Sequence, residues 1–248
     1  MANFPPLKKY ILYCVDKMVA RHGLSGPFLD FGCGGGDVSL HMARKGWGGV
    51  ALDLSEESRA RAAALLMPYP HVRVEERALP TLEDRFTTAL AMDVIEHIEE
   101  DRHALALIAN ALVVGGYLIV SVPSNPREWR WDDDSFGHFR RYTEAEIREK
   151  LESAGLSVVE IWDFTFPVFW LMRRAYTKLK KPPTAESEDK LERTRESSRL
   201  NPWEIKGVSG PLSRDNFLWR LLYAVQFKCF RNRIKSGHEV IVLARKIR

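Results

Sequence analysis

The chain has 248 residues, 45% hydrophobic and 28% charged, a composition typical of a soluble globular protein. No run approaches the ~18–20 consecutive apolar residues that a membrane-spanning helix needs, and the first residues, MANFPPLKKYILY, lack the pattern of a secretory signal. We therefore expect a cytoplasmic protein. The cysteines Cys14, Cys33 and Cys229 match neither a metal-binding spacing nor a disulfide framework, which predicts reduced thiols.

The net charge of +4 hides an uneven distribution. Residues 1–172 contain 18 Lys and Arg against 25 Asp and Glu, a net charge of −7, whereas residues 173–248 contain 19 against 8, a net charge of +11. Such a basic segment is typical of a protein with an anionic partner, such as a phosphorylated substrate, a lipid head group or nucleic acid. A merely solvated basic face is the alternative.

Short apolar runs alternate with helix-length periodic segments from Pro27 onward, which predicts βα units and a parallel sheet. An amphipathic helix near Leu7–Arg21 precedes them. The further predicted helices are near Val38–Lys45, Glu56–Leu66, Glu100–Leu112 and Glu144–Ala154. The seven predicted strands are Phe28–Phe31, Gly49–Leu54, Val72–Glu75, Thr88–Met92, Tyr117–Val122, Leu156–Trp162 and Glu239–Ala244.

An insertion separates the sixth and seventh predicted strands, because the roughly 75 residues between them far exceed a hairpin loop. The predicted organisation is an N-terminal helix at 1–26, a core at 27–162, a lid or acceptor-binding insertion at 163–237 and a final strand at 238–248. Lys180–Arg199 is the polar middle of the insertion.

One apolar face is expected near the end of the insertion, because five residues recur there at helical spacing. The face either buries against the aromatic segment 162–170 or lies on a membrane surface, and basic residues around it suit both interpretations. Its members are Leu218, Leu221, Leu222, Val225 and Cys229.

A glycine-rich turn, LDFGCGGGD at 29–37, follows the first predicted strand and precedes a helix. Glycines there let a ligand approach the backbone and the free amides of the helix N-terminus. A GxGxxG dinucleotide motif would place its third glycine at position 37, where this chain has Asp37, so a pyrophosphate would meet a carboxylate. The DxGxGxG pattern from Asp30 to Gly36 instead suits a ligand with a cationic amine and sulfonium, although a tight structural turn is the alternative.

Asp53 ends the second predicted strand, 17 residues after Gly36. A carboxylate at that edge of the sheet can accept hydrogen bonds from both ribose hydroxyls. The alternative role, capping the next helix, is better served by Ser55.

Four segments together resemble the class I S-adenosylmethionine-dependent methyltransferase family: LDFGCGGGD, VALDLS, ALAMDVIEHIEED and ALVVGGYLIVSVPSNP. The resemblance spans about Pro27 to Trp162 and is nearest the ubiquinone-biosynthesis O-methyltransferase branch. It implies S-adenosyl-L-methionine as cofactor and an α/β fold: a Rossmann-like, seven-stranded, mostly parallel sheet whose last strand is antiparallel, with a helical insertion between strands six and seven. In this family Asp30, Gly32 and Gly34 would line the methionine moiety.

The resemblance also implies contacts to the nucleoside. Asp53 would hold the ribose, Leu54 would pack beside the adenine, and Met92 would lie at the end of the fourth strand. Within VEERALP, either Glu75 or Glu76 would meet the adenine amine.

Asp93, Glu96 and His97 would share one face of a helix and could together bind a divalent metal. Related quinone methyltransferases have a similar ExxEH arrangement, but many relatives with similar residues use no metal. We therefore predict no metal and a hydrogen-bonded structural histidine.

The segment DDDSFGHFRRYTEAE, 132–146, follows the fifth predicted strand, where the family builds its acceptor site. It resembles a GHxRRY stretch of a bacterial subgroup linked to surface-glycan and lipid modification. His138 is the predicted catalytic base, and Arg140 and Arg141 could hold an anionic acceptor. Alternatively, these three residues fasten the segment to the sheet.

The predicted function is therefore O-methylation of a small-molecule, glycan or lipid-linked acceptor, anionic in one interpretation, with peripheral contact at the inner face of a membrane. Nucleic-acid amine methylases carry an NPPY-like tetrad where this chain has Asp93-Val-Ile-Glu96, which disfavours nucleic acid as a partner. An RNA or protein methyltransferase that uses the basic insertion, and a non-catalytic cofactor-binding module, remain as alternatives.

Overall fold

The computed structural model describes residues 6–76, 85–180 and 217–248. All but the first residue of the predicted polar middle, Lys180–Arg199, lies outside the described residues. Within the described ranges, no helix combines the length and apolar content needed to cross a membrane.

Seven strands form one sheet. They are β1 (Phe28–Phe31), β2 (Gly49–Leu52), β3 (Val72–Glu75), β4 (Phe86–Met92), β5 (Leu112–Pro123), β6 (Leu156–Asp163) and β7 (Glu239–Lys246). Their order is β3-β2-β1-β4-β5-β7-β6. The first five are joined by parallel pairs, and β7 runs antiparallel to both β5 and β6. The predicted fold class is confirmed.

Eight α-helices are described, and they cover both faces of the sheet. They are α1 (Pro6–His22), α2 (Asp37–Arg44), α3 (Glu56–Leu66), α4 (Asp101–Ala111), α5 (Trp131–Phe136), α6 (Glu144–Ser153), α7 (Val168–Leu179) and α8 (Phe217–Phe230). Apolar residues of α1, α2, α3, α7 and α8 form one core with the sheet, and those of α4 and α6 form a second. Phe28 belongs to the first core and Leu29 to the second, because successive side chains of a strand point to opposite faces.

The structure differs from the sequence prediction at two places that affect the site. β2 ends at Leu52 rather than Leu54, so Asp53 lies in the turn beyond the strand. The short helix α5 was not predicted, since WDDDSF has no helical apolar period. α5 begins the segment that carries His138.

Gly32 and Gly34, both with positive φ in the turn after β1, differ in the space around them. A Cβ at Gly32 would lie 2.5 Å from Cγ2 of Val94, whereas a Cβ at Gly34 would meet no atom within 4 Å. Gly32 is therefore required by packing as well as by backbone conformation.

We expect Gly32→Ala to destabilise the fold more than Gly34→Ala. Left-handed backbone costs about 1–2 kcal/mol at either position, and overpacking against Val94 adds roughly 1–3 kcal/mol at Gly32 alone. Urea unfolding of both variants measures the difference. Equal losses of unfolding free energy would contradict the packing argument.

Candidate cofactor and acceptor site

The glycine turn is held against the end of β2 by its own amides. The backbone N–H groups of Gly32 and Cys33 both donate to the carbonyl of Leu52 at 2.8 Å. The N–H of Gly34 donates to Oδ2 of Asp53, also at 2.8 Å. The turn and the Asp53 carboxylate are therefore fixed relative to each other.

Asp53 keeps acceptor capacity on both carboxylate oxygens. Oδ1 accepts one bond from the N–H of Ser55 at 2.8 Å, and Oδ2 accepts the bond from Gly34. Since each carboxylate oxygen can accept two hydrogen bonds, the pair can still take a diol. Ser55 caps α3, as predicted, by accepting a bond from the N–H of Ser58. Leu54 is 74% exposed beside this carboxylate.

The two glutamates considered for the adenine amine are both at this edge of the sheet. Glu75 is the last residue of β3, and Arg73 lies 3.5 Å from its carboxylate. Glu76 follows, and its carboxylate accepts a 2.7 Å bond from Arg59.

Asp30 is buried, and its Oδ2 accepts a 2.5 Å hydrogen bond from the hydroxyl of Ser39. Burial raises the pKa of the Asp30 carboxyl to about 6, although the Ser39 bond and the charge of Lys8 oppose the rise. Lys8, in the first turn of α1, forms an ion pair with Asp37. No sequence motif singles out Lys8, whose ammonium brings a positive charge to this end of the sheet.

Asp93 directly follows Met92, the last residue of β4. Its φ of 55° is unusual for a residue other than glycine, and backbone of this kind is concentrated at functional sites. The hydroxyl of Ser121 holds it by donating to Oδ1 at 2.6 Å. Burial raises the pKa of Asp93, and the charges of His138 and Lys8 act in the opposite direction. The next residue, Val94, lies against Gly32 of the glycine turn.

His138 is oriented by a buried carboxylate. Its Nδ1 lies 2.9 Å from Oδ1 of Asp133, a fully buried residue. Burial alone would raise the pKa of Asp133, but the bond from His138 and the charges of Arg141 and Arg173 hold that pKa well below its usual range. An ionised Asp133 accepts the Nδ1 proton, so Nε2 is the imidazole nitrogen that carries the lone pair.

The two arginines after His138 fasten the segment, in agreement with the alternative interpretation. Arg141 is buried and donates to Asp133 and to the carbonyls of Ser124 and His238 at 2.8–2.9 Å. Arg140 pairs with Asp101 at 2.7 Å. The prediction that Arg141 binds an acceptor is wrong, because its guanidinium is occupied inside the protein.

Glu96, His97 and His138 each place a potential ligand atom within 4.8 Å of the others. The predicted face of Asp93, Glu96 and His97 does not form, because only a short 3-10 turn, Ile95–His97, precedes α4. Burial raises the pKa of Glu96, and burial with the nearby His138 lowers the pKa of His97 to about 3. Imidazole nitrogens and carboxylate oxygens are ligands that fit a divalent ion. These residues could therefore bind a metal ion, and the expectation that the reaction uses no metal stays a prediction.

The comparisons with known proteins agree with this geometry. Residues 7–161 match the family model of a methyltransferase domain, which is more than half of the chain. The chain belongs to this family and is a class I S-adenosylmethionine-dependent methyltransferase.

Two curated relatives are ubiquinone biosynthesis O-methyltransferases. The chain is 30% identical to that of Ruegeria sp. (strain TM1040) over 162 residues, which cover 57% of this chain and 65% of the relative. It is 30% identical to that of Aeromonas salmonicida (strain A449) over 177 residues, 63% of this chain and 74% of the relative. The chain thus spans less than two thirds of the length of the first relative.

Among solved structures, the fold is similar to the 1,6-didemethyltoxoflavin-N1-methyltransferase of Burkholderia thailandensis, with bound 1,6-didemethyltoxoflavin and S-adenosylhomocysteine. The TM-score is 0.55 at 18% identity, and the match covers 98% of this chain and 79% of that one. At this identity the likeness shows the fold alone.

Arg173 of α7 completes the ion network around Asp133. Its guanidinium donates to both carboxylate oxygens of Asp132 at 2.6–2.7 Å and to Asp133 at 2.8 Å. The side chain is only 4% exposed, whereas that of its neighbour Arg174, which pairs with Glu128, is 43% exposed. Arg173 therefore ties the insertion to the segment that holds His138.

We expect Arg173→Met to lower the free energy of unfolding by about 3–5 kcal/mol, because it leaves buried carboxylates without their cation. Arg174→Met is the matched control and should cost at most about 1 kcal/mol, since its pair is partly exposed. Urea unfolding gives both values. Similar losses in the two variants would contradict the assigned network.

Proposed function

We propose that this protein transfers the methyl group of S-adenosylmethionine to an oxygen atom of a small-molecule, glycan or lipid-linked acceptor. The observation that carries the proposal is the position of the segment from Val94 to His97. Val94 lies against Gly32 of the glycine turn, and the ring of His97 contacts that of His138 with centroids 4.7 Å apart. A cofactor on the glycine turn would therefore lie near the imidazole.

In this proposal the chain holds the cofactor at the carboxyl ends of β1, β2 and β4. Asp53 accepts hydrogen bonds from the ribose hydroxyls, and the exposed Leu54 packs against the adenine. Gly32 and Gly34 line the methionine moiety, with open space at Gly34, and the buried Asp30 carboxylate attracts the ammonium of the ligand. Met92 contributes to the wall at the end of β4.

Asp53→Ala should weaken binding of S-adenosylmethionine at least about tenfold, because losing hydrogen bonds to a charged acceptor costs ~1.5–3 kcal/mol. Glu56→Ala is the control: it removes the same charge three residues away, on an exposed position in the first turn of α3. Titration calorimetry of both folded variants measures the affinities. An unchanged affinity of Asp53→Ala would remove the ribose role.

Cofactor affinity should rise as the pH increases from 5 to 7, by up to about tenfold. The raised pKa of Asp30, about 6, means that its carboxyl is mostly protonated at pH 5 and ionised at pH 7. Only the ionised form attracts the cationic cofactor. Asp30→Asn, which can still accept the bond from Ser39, should flatten this rise in calorimetric titrations across the same range. A steep rise that persists in the variant would assign it to another group.

In the reaction itself, the acceptor oxygen forms a bond to the methyl carbon while the carbon–sulfur bond breaks and its electron pair stays on sulfur, giving S-adenosylhomocysteine. Nε2 of His138 takes the hydroxyl proton, and the ionised Asp133 stabilises the imidazolium through Nδ1. Holding acceptor and cofactor in line supplies much of the rate.

The proposed charge and location of the acceptor follow from the positive charge of the insertion. Basic residues of the insertion favour an anionic acceptor and a peripheral position at the inner face of a membrane. Methylation of RNA or protein, and cofactor binding without catalysis, are less favoured, because the His138–Asp133 pair supplies a base for hydroxyl chemistry.

Transfer of radiolabelled methyl groups to fractionated extracts of the source cells tests the function. Label should enter the lipid and small-molecule fractions as an alkali-stable ether. His138→Ala should slow this transfer by ~10²–10⁴ without changing cofactor affinity. Label mainly in RNA or protein would contradict the proposed acceptor class, and an equal rate in the variant would contradict the base.

A further inference from the structure

Helix α8 is apolar on both its inward and outward faces. Inward, the ring of Tyr223 stacks on that of Tyr10 at 5.1 Å, and its hydroxyl donates to the carbonyl of Pro6. Outward, four apolar residues are exposed by 47–76%: Phe217, Leu218, Leu221 and Val225. The prediction that this apolar face buries against segment 162–170 is therefore wrong, since the opposite face of α8 makes that contact. Large apolar side chains therefore lie on α8 opposite its contact with the core.

Helix α7 adds to this exposed apolar surface. It packs beside α8, with the ring of Phe169 stacked on that of Trp219 at 6.3 Å. Its own Leu171 and Leu179 are 56% and 81% exposed. We call the outer surfaces of the two helices the α7–α8 face. Its exposed large apolar side chains are clustered, whereas those on an ordinary protein surface are scattered singly.

The charged residues on the two helices and the loop after α8 are all of one sign. Residues 168–180 and 217–235 contain no Asp or Glu. Their Lys and Arg residues are Arg173, Arg174, Lys178, Lys180, Arg220, Lys228, Arg231, Arg233 and Lys235. Of these, Arg174, Lys178, Lys180, Arg220, Lys228, Arg233 and Lys235 are exposed. A second copy of the same face would bring cations against cations, so a self-complementary dimer is disfavoured.

We propose that the α7–α8 face docks on the surface of an anionic lipid bilayer. Apolar side chains enter the boundary between head groups and acyl chains, and the surrounding lysines and arginines lie at the level of the lipid phosphates. Exposed apolar residues on segments whose charged residues are all Lys or Arg match this partner in both polarity and charge.

The docked face lies on the helices that also support the acceptor site. The same α7 that exposes Leu171 sends Arg173 inward to Asp133, which orients His138. A helix is ~10–12 Å across, so the membrane would lie about one helix diameter from this support. An acceptor carried by a lipid could then reach the imidazole without leaving the bilayer, a step that rests on the proposed function.

Vesicle co-sedimentation of the full chain tests the docking. The wild type should pellet with phosphatidylcholine vesicles containing phosphatidylglycerol, pellet much less with phosphatidylcholine alone, and be released at ~1 M salt, where the Debye length is about 3 Å. Replacing Leu218, Leu221 and Val225 together by Ser should reduce partitioning at least about tenfold. The matched control replaces three apolar residues that are exposed elsewhere, Met67, Val114 and Ile247, by Ser. It should pellet as the wild type does.

Three outcomes would overturn the docking proposal. The first is no pelleting of the wild type with anionic vesicles, and the second is an equal loss of pelleting in the two triple variants. The third is a dimeric wild type and a monomeric α8 variant, neither of which binds vesicles. Calorimetry with S-adenosylhomocysteine on the same samples separates this proposal from the proposed function. Cofactor binding without vesicle binding contradicts the docking alone. Vesicle binding without cofactor binding contradicts the methyl transfer alone.

Discussion

The buried carboxylate of Asp133 joins three parts of the molecule. Arg141 connects it to the backbone beyond β5 and before β7, Arg173 connects it to α7, and His138 uses it to fix the direction of its ring. A fully buried negative charge is stable only if it is paired and hydrogen-bonded. The two arginines meet that condition, so the imidazole gains an ionised partner whose position does not depend on solvent.

The other end of the site has an excess of carboxylates. Asp30 lies within β1, and Asp53 and Asp93 follow the two strands that flank it, β2 and β4. Like charges in a partly buried site disfavour one another's ionised forms. Burial raises the pKa of Asp30 and Asp93, and Lys8 acts against both rises. A ligand with an ammonium and a sulfonium relieves the same repulsion, which explains why this chain suits S-adenosylmethionine better than a pyrophosphate.

The sequence was informative wherever structure is determined locally. The glycine turn and the order of the strands in the chain each depend on short patterns, and both are found as predicted. Strand ends were less certain: Asp53 lies just beyond β2, and β5 begins at Leu112 rather than Tyr117. Lys8 and Arg173 could not be found in this way, because their partners Asp37 and Asp132 are distant in sequence.

The prediction of which face of α8 is buried failed for a different reason. Its apolar residues occur all round the helix, so periodicity alone could not tell which face would meet the aromatic residues of α1 and α7. The stacking of Tyr223 on Tyr10 determines that face in the folded protein, and it leaves Leu218 and Leu221 outside. Tertiary packing therefore decided what composition and spacing left open.

A crystal structure of the protein with S-adenosylhomocysteine tests the central claim most directly. Both ribose hydroxyls should lie within hydrogen-bond distance of the Asp53 carboxylate, and the sulfur should be closer to Asp93 and Nε2 of His138 than the adenine is. The ligand's own ammonium should lie beside the Asp30 carboxylate. A ligand bound with its ribose away from Asp53, or with its sulfur turned from His138, would contradict the account.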